Sequence, residues 1–431
     1  MYLVLTTLTS FRFTTQVKHI QVPRVVKDFS RTFIEHGYSC YLVGGAVRNL
    51  VAGLKPTDYD FATDATPEAV MRMFKRVIPT GVKHGTVTVL YRGSKFEVTT
   101  FRIDGTYSNA RHPDSVTFSP SIEEDLKRRD FTINALAVNL KTNELLDPHH
   151  GEEDLKLRII RAIGDPVERF SEDGLRILRG LRFASQLEFS IEENTLQAIR
   201  DCRENLTRVS AERIRDEIIK ILEADTPSIS FKIMEETEVL SLIIPELSAC
   251  SGIGQKGFHS FDVFTHSILA CDGAPKENLV VRLAALLHDI GKPEVLATNE
   301  EGEPTFYQHE IVSASLASRI LCRLRFPKSI EQAVCHLIKH HMFLYEETWT
   351  DSAVRRFIAR VGKDALNNLF LLRMADQYGM VGRPVISSTL DAFRKRIDAV
   401  LEADSVFSLK DLAVGGNELF EEAGIPRGPI M

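Results

Sequence analysis

The sequence has no Cys-x-x-Cys pair. Its six cysteines, Cys40, Cys202, Cys250, Cys271, Cys322 and Cys335, are scattered along 431 residues. They read as free buried thiols in a reducing compartment such as the cytoplasm. No apolar run reaches membrane-spanning length, so no helical span is expected. There is no excess of positive charge. The formal net charge of −6 argues against a protein that coats nucleic acid indiscriminately, yet leaves room for a local basic groove. The first 20 residues contain no acidic side chain. They are Thr-rich, carry Arg12 and Lys18, and faintly resemble an organelle transit peptide. They lack the charged start of a secretory signal and read as an unstructured extension. What remains is ordinary for a globular chain of two to four domains: 44% hydrophobic and 26% charged residues.

The chain is organised around Tyr41 to Thr63. The run is apolar, breaks at Gly44-Gly45, carries Arg48 and ends on Asp58-Tyr59-Asp60. This reads as strand, glycine turn, short helix, loop, strand. A glycine pair opening a helix lets backbone N–H groups approach phosphate oxygens, and a helix N-terminus favours negative charge. Arg48 adds a fixed fork of donors. Residues two apart in a strand face the same side, so Asp58 and Asp60 are expected to point together. Paired carboxylates suit a hard divalent cation, and Mg²⁺ is the usual one beside a triphosphate. Taken singly, the glycines read as a plain turn and the aspartates as loop solubilisers. Their order and closeness favour the phosphate and metal reading.

GGAVRN followed by DYD resembles the signature of the tRNA nucleotidyltransferase and poly(A) polymerase family, class II of the polymerase-beta-like nucleotidyltransferases. That family usually has Asp where this chain has Asn49, a departure that weakens a supporting contact and leaves the metal pair intact.

A helix is expected over 23–38 and another near 67–76. Thr86 to Tyr91 alternates as a strand, and Lys95 to Arg102 is its hairpin partner through Arg92-Gly93-Ser94. Glu97 in that partner is either a solvent-face residue or a third carboxylate facing Asp58 and Asp60. Residues 103–121 form a polar loop rich in turn formers. In the resembled family a loop here assists the change from adding C to adding A, and relatives that add only C lack it. Its presence implies the complete activity, although the family often has Asp where this chain has Asn109. Arg128-Arg129-Asp130 is either a solvated helix face or, as it matches by position, the family's RRD motif, followed by the matching Thr132-Ile-Asn134-Ala. The resemblance implies that Arg129 contacts the nucleotide and that Asp130 accepts from the ribose hydroxyl.

From about 155 onward the period is helical. The run Glu172 to Phe183 reads as one helix on which Asp173, Arg176, Arg179 and Arg182 recur every third residue. Asp173 and Arg176 are either a surface ion pair worth ~1 kcal/mol or less, or a reader of bases. Cytosine and adenine both offer an amino donor beside a ring-nitrogen acceptor, whereas uracil and guanine offer a carbonyl beside N–H. Asp only accepts and Arg only donates. Such a pair fits C or A, and each wrong base leaves a group unpaired at roughly 1–3 kcal/mol. The stretch matches the family pattern EDxxRxxRxxRF at every specified position. Arg179 and Arg182 would then hold the triphosphate or orient Asp173. Ser210 and Arg213, on an amphipathic helix, fit the family's neck, which grips the tRNA acceptor end.

Seven of the 13 histidines lie beyond residue 250. Leu283 to Lys292 reads as an amphipathic helix ending at a C-cap Gly291 and bearing His288-Asp289. With His266 upstream and Asp376 downstream, this resembles the HD phosphohydrolase domain, which implies His266, His288, Asp289 and Asp376 as metal ligands. Mixed imidazole and carboxylate donors favour Mn, Ni, Fe or Zn. His309, His340 and His341 are candidates for a second metal site or a phosphate contact.

The fold expected is α+β: a polymerase-beta-like head with a small mixed or antiparallel sheet, then all-helical neck and HD domains. The boundaries expected are 1–22 extension, 23–160 head, 161–250 neck, 251–400 HD domain and 401–431 a tail. Asp411-Leu-Ala-Val-Gly-Gly resembles a family tail motif, and the tail reads as truncated. The resemblance implies template-independent addition of C, C and A to the tRNA 3′ end from CTP and ATP. The catalytic group would be Asp58, Asp60 and Glu97. Gly44, Gly45, Arg48, Arg129, Asp130, Asp173, Arg176, Arg179 and Arg182 would bind nucleotide. The rivals are a poly(A) polymerase or A-adding enzyme, and a metal phosphohydrolase with a vestigial RNA-binding head.

Overall fold

The computed structural model describes residues 18–56, 58–104, 116–255 and 260–403. Most of the expected N-terminal extension, Asn109 and the tail beyond residue 403 lie outside the described residues. The chain divides into two compact units, Met1–Val209 and Ser210–Met431.

The first unit runs α1 (Arg24–Glu35), β1 (Cys40–Val43), α2 (Gly45–Val51), β2 (Asp60–Thr63), α3 (Pro67–Met73), β3 (Val77–Gly81), β4 (Thr86–Tyr91) and β5 (Ser94–Thr100). It continues with β6 (Arg102–Asp104), β7 (Val116–Phe118), α4 (Ile122–Lys127), β8 (Ala137–Asn139), β9 (Leu145–Leu146), α5 (Gly151–Leu157), α6 (Pro166–Glu172), α7 (Leu175–Leu187) and α8 (Glu193–Cys202). The main sheet has the order β3-β4-β5-β2-β1-β8-β9. It is mixed: β2 and β5 are parallel, and the other pairs are antiparallel. The β4–β5 turn places Arg92 at φ 49° and Gly93 at φ 83°, a tight turn whose twist matches that of the flanking strands. Thr66 caps α3 by accepting from Ala69 N, and Pro67 sits where no N–H is needed. Phe29 of α1 packs on Phe61 of β2 and Phe96 of β5, with centroids 4.6 and 4.8 Å apart. This aromatic core fixes one sheet face and leaves the β1–α2 turn and the start of β2 together at a rim.

The helix expected over Glu172 to Phe183 is two helices. Asp173 is extended, at φ −147° and ψ 106°, and its carboxylate accepts from Leu175 N at 3.0 Å. An aspartate that satisfies a backbone donor just ahead of it favours a helix start over a helix interior. The break therefore falls at Asp173-Gly174, and α7 begins at Leu175.

The second unit is almost wholly helical. Its helices are α9 (Ala211–Leu222), α10 (Ser228–Glu236), α11 (Val239–Ile243), α12 (Pro245–Ser248), α13 (Val263–Gly273), α14 (Leu279–Leu287), α15 (Lys292–Val295), α16 (His309–Arg323), α17 (Lys328–His340), α18 (Asp351–Val361), α19 (Lys363–Val381) and α20 (Ser388–Ala403). The helix expected to reach Gly291 stops at Leu287. Gly291 has φ −82° and opens α15 instead of capping α14. α13 and α19 cross closely: a Cβ at Gly379 would lie 2.6 Å from the His266 carbonyl oxygen. Among the described residues no helix is long and apolar enough to cross a membrane.

Candidate functional sites

In the first unit a cavity of about 320 Å³ opens where the β1–α2 turn meets the start of β2. Its walls include Gly44, Gly45, Arg48, Asp58, Asp60, Arg129, Asp130, Asn134, Arg179, Arg182 and Phe183. Sequence-predicted residues from four separate segments thus share one space. Gly44 has φ 68° and ψ −141°, a backbone region that side chains disfavour. A Cβ there would also sit 3.3 Å from Arg129 Nη1 and 3.6 Å from Asp60 Oδ2. The turn therefore passes directly between the cationic and anionic halves of the cavity.

The anionic half is Asp58 and Asp60, with Glu97 behind them on β5. In the parallel ladder Asp60 stands opposite Glu97. The Asp60 carboxyl is raised to about 6, first by burial and then by Glu97 and Asp58, against Arg129. Carboxylates crowded in this way lower their mutual repulsion by taking up a proton or a cation. The all-oxygen donor set fits a hard divalent ion. Glu97 flanks Asp60 from β5 and does not line the cavity.

The cationic half is built from guanidiniums held by other side chains. Arg48 Nη1 donates to Asn134 Oδ1 at 2.9 Å, and its Nε and Nη2 donate to Asn49 Oδ1 at 3.3 Å. Its pKa falls to about 10 through burial and the nearby Arg182 and Arg179, with Asp130 opposing. Arg179 donates to Asp130 through Nε at 2.7 Å and lies 2.6 Å away through Nη2. Burial alone would raise the Asp130 carboxyl, but Arg179 and Asn134 hold it at about 2. Arg129 is steadied by Asp125 Oδ2 at 3.2 Å, and the same buried carboxylate takes Arg128 at 2.6 Å. Several cations around one cavity give it affinity for a polyanion.

Asp173 and Arg176 stand apart from these walls. Arg176 is buried. It donates to Glu172, to the Arg169 carbonyl at 3.0 Å and to the Arg128 carbonyl at 3.0 Å. It thereby ties α6 and α7 to the Arg128–Asp130 segment. Sequence reasoning missed Asp125 and met Asn134 and Phe183 only as positions of matched motifs, with no role given to either. Asp125 was legible, since Arg128 and Arg129 follow it at i+3 and i+4. Asn134 and Phe183 act across elements, and nothing in local spacing announces them.

In the second unit His266, His288, Asp289 and Asp376 converge, all buried. His266 Nε2 lies 3.0 Å from His288 Nε2, 3.3 Å from Asp289 Oδ2 and 3.2 Å from Asp376 Oδ1. His309 Nε2 and His341 Nε2 approach the other Asp289 oxygen at 3.2 and 3.8 Å. Asp289 thus lies between two three-residue groups that could each hold an ion. His340 turns elsewhere and packs against His336, with centroids 4.6 Å apart.

The donor chemistry fits a metal. Nδ1 of His288, His309 and His341 faces the carbonyl oxygens of Ala285, Phe306 and Ile338 at 2.8, 2.8 and 2.7 Å. A carbonyl only accepts, so Nδ1 carries the proton and Nε2 presents its lone pair to the cluster. Lone pairs facing carboxylate oxygens need a cation between them. Burial would lower the His288 pKa, but Asp289 and Asp376 raise it to about 10, the response of a site that binds a proton in place of a metal. Lys292 holds Asp289 Oδ2 at 2.6 Å and Arg373 holds Asp376 Oδ2 at 2.6 Å. A cavity of about 400 Å³ opens onto the cluster, walled by Phe306, Tyr307, Met342 and Met380.

Residues 40–161 match the poly(A) polymerase head domain, 188–250 the probable RNA and SrmB-binding site of polymerase A, and 257–380 the HD domain. Together these matches span more than half of the chain. The chain belongs to the tRNA nucleotidyltransferase and poly(A) polymerase family, with an HD domain.

Among the family's curated members, the CCA-adding enzyme of Lactobacillus helveticus is 48% identical over 218 residues, 51% of this chain and 54% of that protein. That of Enterococcus faecalis is 52% identical over 209 residues, 48% and 51% of the two chains. The chain thus spans about half the length of the curated relatives it matches. Among solved structures, the Bacillus stearothermophilus CCA-adding enzyme in complex with CTP has a TM-score of 0.70 at 28% identity, covering 94% of this chain and 89% of that one. The Thermotoga maritima CCA-adding enzyme complexed with tRNA shares the fold, with a TM-score of 0.58 at 20% identity over 96% and 92% of the two chains.

Proposed function

We propose that the chain is a CCA-adding tRNA nucleotidyltransferase, which appends C, C and A to tRNA 3′ ends from CTP and ATP and releases pyrophosphate. The observation that carries this is the single cavity in which the Gly44-Gly45 turn, Asp58, Asp60 and the arginines meet. Curated relatives about half identical over their matched half bear the same name.

Gly44 and Gly45 let backbone N–H groups reach the phosphates. Arg48, Arg129, Arg179 and Arg182 offset the triphosphate charge, and Asp130 keeps Arg179 in place. Asp58 and Asp60, supported by Glu97, would hold Mg²⁺, which supplies activation of the RNA 3′-hydroxyl and charge neutralisation at the α-phosphate. Asp173 and Arg176 would read the base by accepting from its amino group and donating to its ring nitrogen. Arg176 then has to exchange one of its carbonyl or Glu172 partners for the base.

The test is a nucleotide-omission assay on tRNA trimmed of its 3′ end. CTP and ATP should be incorporated in turn, and UTP or GTP accepted at the rate of CTP would rule out the protein template. On tRNA ending in C-C, addition of one A supports this reading, and a long A tail favours a poly(A) polymerase.

The buried histidine–aspartate cluster favours a second activity in the same chain. His266, His288, Asp289 and Asp376, joined by His309 and His341, would hold Mn, Ni, Fe or Zn, which supply Lewis-acid activation of a phosphoester. Lys292 and Arg373 orient the two carboxylates. Phosphoester hydrolysis that depends on added transition metal and on His288 tests this.

A further inference from the structure

The ring of Phe183 lies at the centre of the cationic half of the head cavity. Arg48 from α2 stands 5.3 Å from its centroid, Arg179 5.7 Å and Arg182 4.4 Å. Arg179, Arg182 and Phe183 lie at i, i+3 and i+4 on α7, so one helix face presents two cations beside one ring. Arg48 arrives from a separate element and closes the group. The ring is almost fully buried, yet it lines the cavity. Phe131 packs against it nearly perpendicular, with centroids 5.8 Å apart and an 86° interplanar angle.

Three guanidiniums around one small space repel one another. The lowered Arg48 pKa, with Arg182 and Arg179 among its causes, is a sign of that repulsion. An aromatic face carries partial negative charge above and below the ring and attracts cations within about 6 Å of the centroid. Asp130 already pairs with Arg179, and a ring can help gather Arg48 and Arg182 beside it without adding a further negative charge to compete with an incoming anion. Resting on the proposed function, we propose that Phe183 is a positioning residue: its π face keeps Arg48, Arg179 and Arg182 gathered and still positive, ready for the triphosphate. The residue acts through the arginines and touches no reacting atom.

The inference makes the π charge, not the bulk of the side chain, the property that matters. The test replaces Phe183 by mono-, di- and trifluorinated phenylalanine, which keep the shape and progressively empty the ring face. The probe is inorganic tripolyphosphate, bound to the full chain and followed by calorimetry, with thermal melting as the folding control. The expected result is a Kd that rises stepwise with each fluorine, to about 10-fold at three, with an unchanged melting midpoint. Phe183→Leu should weaken tripolyphosphate binding at least as much. A Kd that is flat across the fluorinated series overturns the proposal.

In the addition assay the same variants should raise KM for CTP and ATP alike while KM for the RNA end stays constant. A KM change confined to one nucleotide also overturns it. Tripolyphosphate binding needs no turnover, so failure of the wild-type chain to add nucleotides would count against the proposed function alone.

Discussion

Asp60 and Glu97 stand opposite each other in the parallel β2–β5 ladder, and although Asp60 keeps solvent access, partial desolvation first and then Glu97 and Asp58 raise its carboxyl to about 6. Two acids brought into register on neighbouring strands repel each other, and a cation or a proton relieves that repulsion. Asp60→Asn should lower nucleotide addition by at least roughly 10³-fold, the cost of losing several kcal/mol of metal-assisted stabilisation. Glu97→Gln should cost less, because its carboxylate acts beside Asp60. Single-turnover rates at saturating CTP separate the two, and equal losses would place Glu97 among the direct ligands.

Asp130 gives a stability prediction with a defined sign. Its folded pKa is about 2 against an ordinary 3.8. The unfolded chain therefore takes up the proton first as pH falls. The stabilisation is complete above about pH 4 and is lost as pH drops toward 2. At 1.36 kcal/mol per pKa unit it amounts to about 2 kcal/mol. Urea unfolding should show wild type more stable than Asp130→Asn at pH 7, with the gap narrowing below pH 4. A gap that widens in acid contradicts the assignment.

Gly379 sets the spacing of α13 and α19. A methyl group there would meet the His266 carbonyl at 2.6 Å and His266 Nδ1 at 2.9 Å. Gly379→Ala should push Asp376 away from His266 and weaken Mn²⁺ binding roughly 10–100-fold, as altered support of ligands does elsewhere. Calorimetric titration of Mn²⁺ into the metal-stripped chain checks this, and an unchanged affinity would show that the helices part without disturbing the ligands.

The two chemistries should separate by mutation. His288→Ala should abolish metal-dependent phosphoester hydrolysis and leave CTP addition within a few-fold of wild type. Asp58→Ala should do the reverse. Loss of both activities from either substitution would mean that one centre serves both reactions.

The motifs that line the head cavity could be picked out in the sequence because each is local. A glycine pair, an Asp-x-Asp alternation and an Arg-Arg-Asp run all carry their chemistry in their spacing, and the fold brought them to one cavity. The β4–β5 hairpin was legible from Arg92-Gly93 for the same reason. Two helix limits were not. The three-residue recurrence from Asp173 to Arg182 promised one helix through Glu172 to Phe183, but the Asp173 carboxylate accepts from the Leu175 N–H, and that local competition ends the period. Gly291 looked like a helix stop, whereas its lack of a side chain answers to Ser313 N, 2.6 Å from where a Cβ would sit. Phe183 was visible only as the last position of a matched pattern, because its contact with Arg48 joins residues 135 positions apart in the chain. Contacts set by tertiary approach leave no periodic trace.

The histidine–aspartate cluster has a mechanical consequence for its own unit. His266 belongs to α13, His288 follows the end of α14, His309 opens α16, His341 follows α17 and Asp376 belongs to α19. Each of three imidazoles is tethered through Nδ1 to a carbonyl of its own chain turn. Ions seated in the two groups, which share Asp289, would tie the helices carrying these residues to one another, so the supply of metal would govern how readily a protease can pry the bundle open.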